Sequence, residues 1–133
     1  MHRFRLIQTA GLALFGALLA ACAVSPETRA KMDKYASTIP VCSSAEACQP
    51  KWNAARAWVD ANNSFGIRSA TDERIVSTTN ITSDSGIGMI VTRKPTANRQ
   101  FQIVVDMECL IAYGCPELWD MMLDFNSTVN TAN

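Results

Sequence analysis

Residues 101–109 of this 133-residue chain read Phe101-Gln102-Ile103-Val104-Val105-Asp106-Met107-Glu108-Cys109, and no other stretch specifies the fold as strongly. Every second position, from Phe101 to Cys109, is apolar or cysteine. This period of two places those side chains on one face of an extended strand, so Asp106 and Glu108 lie together on the opposite face. The pattern predicts a strand that is half-buried against a core.

Two stretches before this strand carry a related signal. Residues 87–92 alternate in the same way and predict a second strand. Residues 67–82 are rich in Thr, Ile and Val and predict one or two more. Turn-forming residues at 83–86 and 95–99 separate these segments, so we expect an antiparallel sheet of three to four strands.

Two further segments have the period of amphipathic helices. The first runs from about Pro50 to Asn62, with an apolar stripe made of Trp52, Ala55, Trp58 and Val59. The second follows Pro116, with a core-facing stripe made of Leu118, Met122, Phe125 and Val129. An N-terminal helix, antiparallel strands and a C-terminal helix together predict a small two-layer α+β domain.

Pro50 decides where the first helix is expected to begin. Proline lacks a backbone donor and its ring clashes with the preceding turn, so an unbroken helix through Pro50 is unfavourable. Ser43 and Glu46 have the spacing of a capping box and predict a separate turn before it. We therefore expect a short turn, and then the main helix from Pro50.

The N-terminus has the features of a secretory signal. His2, Arg3 and Arg5 are basic, and residues 10–19 form an uncharged run rich in Leu and Ala. As a helix this run would rise about 15 Å, which is too short to span a bilayer. It ends in Leu19-Ala20-Ala21-Cys22, which resembles the lipobox of bacterial lipoproteins. Residues 1–21 are then the signal peptide; the alternative is an ordinary cleaved signal in which Cys22 is an incidental thiol.

The lipobox resemblance implies a membrane anchor. In that family the cysteine corresponding to Cys22 carries a diacylglycerol and a third acyl chain such as palmitate, and two or more chains hold a protein stably on a membrane. Ala23 stands where Asp would resemble an inner-membrane retention signal, so the resemblance implies the outer membrane, facing the periplasm. We expect residues 22–41 to form the lipidated cysteine and a tether with at most a short, frayed helix. Residues 42–133 then form one domain.

Removal of the signal limits the chemistry available to the mature chain. His2, the single histidine, is lost, so catalysis that needs imidazole and zinc sites that need histidine are excluded. Arg3 and Arg5 are also lost, which leaves ten Lys and Arg against 12 Asp and Glu and a net charge of −2. This charge predicts no nucleic-acid partner. We expect no metal and no cofactor.

Four cysteines remain, in two C-x5-C pairs: Cys42, Cys48, Cys109 and Cys115. In an exported chain an even set predicts two disulfides. Chain entropy gives about 2.4 kcal/mol for a local 42–48 loop and about 4.4 kcal/mol for a crossed 42–115 loop. Adjacency favours local pairs, whereas one helix running through both Cys42 and Cys48 would keep them too far apart to bond. Local pairing is preferred and crossed pairing stays open.

The mature chain also resembles small proteobacterial lipoproteins with two pairs of cysteines. Beyond the cysteines, the resemblance rests on Trp52, Trp58-Val59, Thr71-Asp72, Val91-Thr92, Ile103-Val104-Val105, Gly114-Cys115 and Leu123-Asp124-Phe125-Asn126. It covers most of Cys42 to Val129, and Pro50 departs from it. Because these are core and turn positions, the resemblance implies a fold and no activity.

Several side chains are candidates for contact with a ligand or partner. Three tryptophans would stack a ligand, with core packing as the alternative: Trp52, Trp58 and Trp119. Three basic residues near Pro95 would meet a phosphate or an acidic partner, with a solvated hairpin tip as the alternative: Arg93, Lys94 and Arg99. Asp106 and Glu108 would serve acid–base catalysis only inside a cleft, so we predict no catalytic residue.

These observations lead to three hypotheses. The preferred one is a non-catalytic, lipid-anchored module that binds another envelope protein. The second is a binder of small ligands, with a pocket between helices and sheet lined by tryptophan. The third and least favoured is a hydrolase that depends on Asp106 and Glu108.

Overall fold

The computed structural model describes residues 23–63, 65–77, 86–111 and 113–133. The predicted signal peptide, Cys22 and most of the predicted turn at 83–86 lie outside these residues. The described part contains three helices and five strands, in the order α1 (Pro26–Thr38), β1 (Val41–Cys42), α2 (Ala45–Asn62), β2 (Ile67–Ala70), β3 (Arg74–Ser77), β4 (Ile87–Pro95), β5 (Phe101–Cys109) and α3 (Leu118–Thr131).

The strands form one antiparallel sheet in the order β1-β5-β4-β3-β2. β4 and β5 pair along their whole length, from Ile87 opposite Cys109 to Pro95 opposite Phe101. The predicted α+β class is confirmed, but the sheet has five strands instead of three to four. The additional strand is β1, whose two residues are too few to show an alternation and which pairs with the first two residues of β5.

One face of the sheet is buried beneath the helices. On β3, β4 and β5 the buried side chains alternate along each strand: Ile75, Ser77, Met89, Val91, Ile103 and Val105. The helices contribute Trp52, Ala55, Trp58, Val59, Met122, Phe125 and Val129. Both predicted helical stripes therefore lie in the core, except that Leu118 is only partly buried. Each large apolar side chain buried in this way contributes roughly 1.5–3 kcal/mol to folding.

α2 begins earlier than predicted. Ser44, and not Ser43, is the N-cap, because its hydroxyl accepts a hydrogen bond from the N–H of Ala47. The Glu46 carboxylate accepts from its own backbone N–H and from Ser44, which holds its pKa below the usual range. The helix then continues through Pro50. This is tolerated because the carbonyl left without a donor belongs to Glu46, an exposed residue of the first turn, where water can donate instead.

Both disulfides are local, as preferred: Cys42 with Cys48, at a Cα separation of 5.2 Å, and Cys109 with Cys115, at 6.0 Å. The obstacle foreseen for the first pair does not arise, because Cys42 lies in β1, ahead of the helix cap. The chain turns between strand and helix, and Cys48 in the second turn of α2 returns to Cys42. The start of α2 at Ser44 thus explains why this pair can bond.

α1 occupies most of the segment that was expected to be a tether. This 13-residue helix packs along α3 rather than standing free. The Asn126 amide donates to the carbonyl of Tyr35 and to the hydroxyl of Thr38, both at 3.2 Å. The Tyr35 hydroxyl donates to the carbonyl of Val105 on β5 at 2.7 Å. α1 is therefore held by hydrogen bonds together with the single aromatic side chain of Tyr35, which packs against the core, so its sequence shows no apolar stripe.

The molecule has two distinct ends along the strands. We call the end that contains β1, the Cys42–Cys48 disulfide and the β4–β5 loop the hairpin end. We call the opposite end, which contains the Cys109–Cys115 loop and the beginning of α3, the loop end. β5 runs from the hairpin end to the loop end, and α3 returns in the opposite direction.

Candidate functional site

The second face of the sheet, which we call the uncovered face, is the candidate site. It consists of the strand positions that alternate with the buried ones: Arg74, Val76, Gly88, Ile90, Thr92, Lys94, Gln102, Val104, Asp106 and Glu108. None of these side chains is fully buried, whereas their neighbours on each strand point into the core. All three helices therefore pack on the other side of the sheet, as in antiparallel sheets that keep one face toward water.

An apolar diagonal crosses the middle of the uncovered face. Val76 on β3 pairs directly with Ile90 on β4. Val104 on β5 is opposite Thr92, the next residue of β4 on this face, so it is the diagonal neighbour of Ile90. All three aliphatic side chains are half-buried by adjacent strands and by nothing above them among the described residues. The three neighbouring aliphatic side chains give this face an apolar centre.

Charge is divided between the two ends of the uncovered face. Arg74 and Lys94 lie toward the hairpin end, opposite Thr92 and Gln102 respectively. Asp106 and Glu108 lie toward the loop end, opposite Ile90 and Gly88. On β3, β4 and β5 the face therefore presents a basic end, an apolar middle and an acidic end, and Arg68 of β2 adds one cation beside the two carboxylates. Such a division favours one orientation of a charged partner.

A shallow hollow that includes Gly88 in its lining lies at the acidic end of this face. Its volume is about 330 Å³, and its lining includes Arg68, Val76, Ile90, Asp106, Glu108 and Leu110. A second depression of about 480 Å³ lies beside the exposed side of α2, lined by Asn53, Arg56, Ala57, Asp60 and Ile67. Both are open to solvent. The hollow offers two carboxylates and one guanidinium to a charged side chain of a partner.

The tryptophans that were candidates for ligand stacking are mostly core residues. Trp52 is 4% exposed and its indole N–H donates to the carbonyl of Thr71 at 3.0 Å. Trp58 is 6% exposed, and its indole N–H donates to the Asp124 carboxylate at 2.8 Å. Both rings lie in the core, and that of Trp58 packs edge-on against Phe125 of α3 at 5.4 Å between centroids. This position agrees with the alternative of core packing, and it leaves no stacking surface for a ligand on either ring.

Trp119 lies elsewhere, at the beginning of α3. It is half-buried, and its ring packs edge-on against Tyr35 at 5.8 Å between centroids. Burial raises the pKa of Tyr35 to about 12, the charge of Asp106 adds to this increase, and the hydrogen bond to Val105 partly opposes it. The three tryptophans thus do not form one pocket.

The three basic candidates near Pro95 point in different directions. The Arg93 guanidinium is on the helix side, 6.0 Å from the ring of Trp52 and 5.4 Å from that of Phe101. Lys94 is exposed on the uncovered face. Arg99 is in the hairpin loop with a φ of 60°. Only Lys94 contributes to the candidate site, and Arg93 instead covers the core at the hairpin end.

Sequence reasoning placed Asp106 and Glu108 correctly on the face opposite Val105 and Met107. Both carboxylates are exposed residues of the uncovered face and border its open hollow. The apolar diagonal was not foreseen. The strand alternation assigned Ile90 to the second face, but only the position of the helices shows that this face is open.

No helix in the part of the chain that the structure describes combines the length and the apolar character needed to cross a membrane. Within the same ranges, no three His, Cys, Asp or Glu side chains are grouped closely enough to hold a metal ion. Cys22 lies outside the described residues. No protein-family model matches the chain, and neither a curated protein nor a solved structure matches it. The similarity to small two-disulfide lipoproteins therefore stays a prediction.

Proposed function

We propose that this protein is a non-catalytic lipoprotein, anchored through acylated Cys22 to the periplasmic side of the bacterial outer membrane, whose domain binds another envelope protein. The observation that carries the binding role is the uncovered face, with its apolar diagonal between a basic and an acidic end. The anchoring rests on the resemblance of Leu19-Ala20-Ala21-Cys22 to a lipobox.

A protein partner suits the uncovered face better than a small ligand does. The face is wide and shallow, and its hollow of about 330 Å³ is open to solvent. Small-molecule sites are usually concave and bury most of the ligand. An exposed sheet with half-buried Val76, Ile90 and Val104 instead matches the apolar centre and charged rim of a protein interface.

The same geometry supports a role without catalysis. Asp106 and Glu108 are the paired carboxylates of the chain's uncovered face, and both are exposed to water. General acid catalysis by a carboxyl group needs an environment that excludes water and raises its pKa. We therefore assign these residues to partner recognition, as the acidic end of the face.

Anchoring is tested by growing cells with a labelled fatty acid and following the full chain. Cys22 is the expected site of acylation, so the wild type should carry the label and fractionate with the outer membrane. Cys22→Ser should lose both. A wild-type chain without label, or one recovered from the cytosol, would contradict the anchoring.

Partner binding is tested with two variants of equal added charge. Ile90→Arg combined with Val104→Arg places two cations on the apolar diagonal, where a partner would have to desolvate them. Ala57→Arg combined with Ala61→Arg places two cations on the exposed side of α2. Crosslinking in intact cells should recover one dominant protein with the wild type and with the α2 variant. The diagonal variant should recover about tenfold less of that protein, because a tenfold loss of affinity corresponds to about 1.4 kcal/mol, a typical loss at an interface hot spot.

Two outcomes would contradict the binding role. One is equal recovery of the same protein with both double variants, which would place the interface elsewhere. The other is recovery of only abundant envelope proteins with the wild type. Circular dichroism of each variant confirms that its fold is intact.

A further inference from the structure

The relative direction of α1 and α3 shows where the lipid anchor leaves the domain. Three contacts connect the two helices, and their residue numbers rise together: Lys31 with Asp120 at 3.0 Å, Asn126 with the Tyr35 carbonyl at 3.2 Å, and Asn130 with the Thr38 carbonyl at 2.8 Å. Helices that are paired in this order run parallel. The first residue of α1 is therefore at the same end of the molecule as the first residue of α3, the loop end.

This direction limits how far the chain can carry Cys22 from the loop end. Pro26 precedes Lys31 by five residues, so it lies about 7.5 Å further along the helix axis, beyond the contact with Asp120. Only Ala23, Val24 and Ser25 separate Cys22 from α1. Fully extended, the chain from Cys22 to Pro26 reaches about 14 Å. An acyl group on Cys22 would therefore hold the loop end next to the bilayer.

The disulfide loop at the same end exposes apolar side chains. Tyr113 is 93% exposed and Leu110 is 37% exposed. The Cys109–Cys115 disulfide joins the two ends of the loop at a Cα separation of 6.0 Å, and the Leu110 N–H donates to the carbonyl of Gly86 at 2.9 Å. These two bonds fix the base of the loop at the end of the sheet. The exposed tyrosine is therefore presented by a constrained turn.

We propose that the side chains of Leu110 and Tyr113 enter the headgroup region of the bilayer that holds the Cys22 anchor. The proposal rests on the acylation of Cys22 proposed above. Tyrosine combines an apolar ring with a hydroxyl and is enriched at the boundary between headgroups and acyl chains. Because the acyl chains already retain the protein, this second contact fixes its orientation. The hairpin end then points into the periplasm, and the uncovered face stands upright and accessible.

The contact is apolar rather than electrostatic. Charged groups lie on two sides of the loop. Lys31 contacts the carboxylates of Glu27, Glu117 and Asp120 at 3.7, 3.8 and 3.0 Å, and the hollow that Leu110 lines also contains Arg68, Asp106 and Glu108. The hydrogen bond to Asp120 and the neighbouring carboxylates raise the pKa of Lys31. This group has more acids than bases and would not attract an anionic membrane surface. Insertion should therefore persist in a zwitterionic bilayer and at high salt.

The test uses the full acylated chain in vesicles of phosphatidylcholine with brominated acyl chains, which quench indole fluorescence on contact. Tyr113→Trp places an indole in the loop. Asn98→Trp is the matched control, because Asn98 is an exposed residue of the hairpin loop at the opposite end. The fluorescence of the wild-type tryptophans is subtracted from both. The added indole at position 113 should be quenched about twofold or more, as expected for a group roughly 5–10 Å into the boundary, and the one at 98 should not.

The outcomes separate this inference from the proposed function. If labelled fatty acid shows that Cys22 is acylated but the two added indoles are quenched equally, the loop does not enter the bilayer and the inference is overturned. If the chain carries no acyl label, the anchoring itself fails. If the indole at position 113 is not quenched in the vesicles and the same loop crosslinks to a protein in cells, the loop is a protein contact. The membrane assignment is then likewise overturned. Melting curves that match the wild type confirm that the variants are folded.

Discussion

The two ends of the molecule are each closed by a disulfide of the same spacing, but the two bridges have opposite surroundings. At the hairpin end, Cys42 and Cys48 are 6% and 0% exposed and pack in the core with Trp52. At the loop end, Cys115 is exposed, and the loop that it closes carries Tyr113, the most exposed large apolar side chain of the described part. Spacing therefore predicts which cysteines pair. The neighbouring elements decide whether a bridge supports the core or presents a loop.

Removing the buried bridge should have the largest effect. Cys42→Ala with Cys48→Ala loses the chain-entropy contribution of about 2.4 kcal/mol and also leaves small voids in the core. We expect the free energy of unfolding to fall by about 4 kcal/mol, measured by urea denaturation. A loss no greater than that of the loop-end pair would break the distinction between the two ends.

Removing the exposed bridge should cost less. Cys109→Ala with Cys115→Ala opens a loop of the same length, so the chain-entropy loss is again about 2.4 kcal/mol, but little buried surface is lost. We expect a decrease of about 2 kcal/mol in the same urea experiment. The loop would also lose its fixed base, so quenching of the indole in Tyr113→Trp should decrease in this background. Unchanged quenching would show that the bridge is not needed to present the tyrosine.

The attachment of α1 should weaken at high pH. The pKa of Tyr35 is about 12 in the folded chain, against roughly 10 in the unfolded chain. Because the fold favours the protonated phenol, the stability contributed by Tyr35 is complete below pH 10 and is lost as the pH rises through 12. The difference in free energy of unfolding between wild type and Tyr35→Phe should therefore shrink over that range. A difference independent of pH would contradict the buried environment of this hydroxyl.

The smallest effect is expected in the hairpin loop. Arg99 has a φ of 60°, a left-handed conformation that costs a residue with a side chain about 1–2 kcal/mol. Arg99→Gly should raise the free energy of unfolding by about 0.5 kcal/mol, because the greater freedom of unfolded glycine offsets part of the gain. Arg99→Ala removes the same charge without relieving the backbone. Equal stabilisation by the two variants would assign the effect to charge.

Most of the fold could be predicted because its long elements are periodic. β4, β5 and α3 each show their burial pattern directly in the order of their side chains. β1 could not be found, since two residues carry no period and pair only with the edge of β5 that faces away from β4. α1 was underestimated for a different reason. Its packing depends on single polar groups such as Tyr35 and on Asn126, which is 91 residues away in sequence.

The candidate site was only half predictable. Alternation on β5 places Asp106 and Glu108 on one face without any knowledge of the tertiary structure. Whether that face is open to solvent depends on which sides of the sheet are covered by helices, and the local sequence pattern does not predict this. For Trp52 and Trp58 the sequence could not distinguish a ligand site from a core, because tryptophan is suited to both. The hydrogen bonds of their indole N–H groups inside the domain show that they belong to the core.

α1 has no fully buried residue and is held largely by hydrogen bonds and ion pairs. A pull on Cys22 would act along this helix first and load those bonds in shear before the force reached the Cys42–Cys48 bridge. If Cys22 is acylated as proposed, a docked α1 keeps the domain within about 14 Å of that lipid anchor. If α1 detached and unfolded, residues 22–39 could extend about 60 Å and would let the domain reach a partner farther from the membrane.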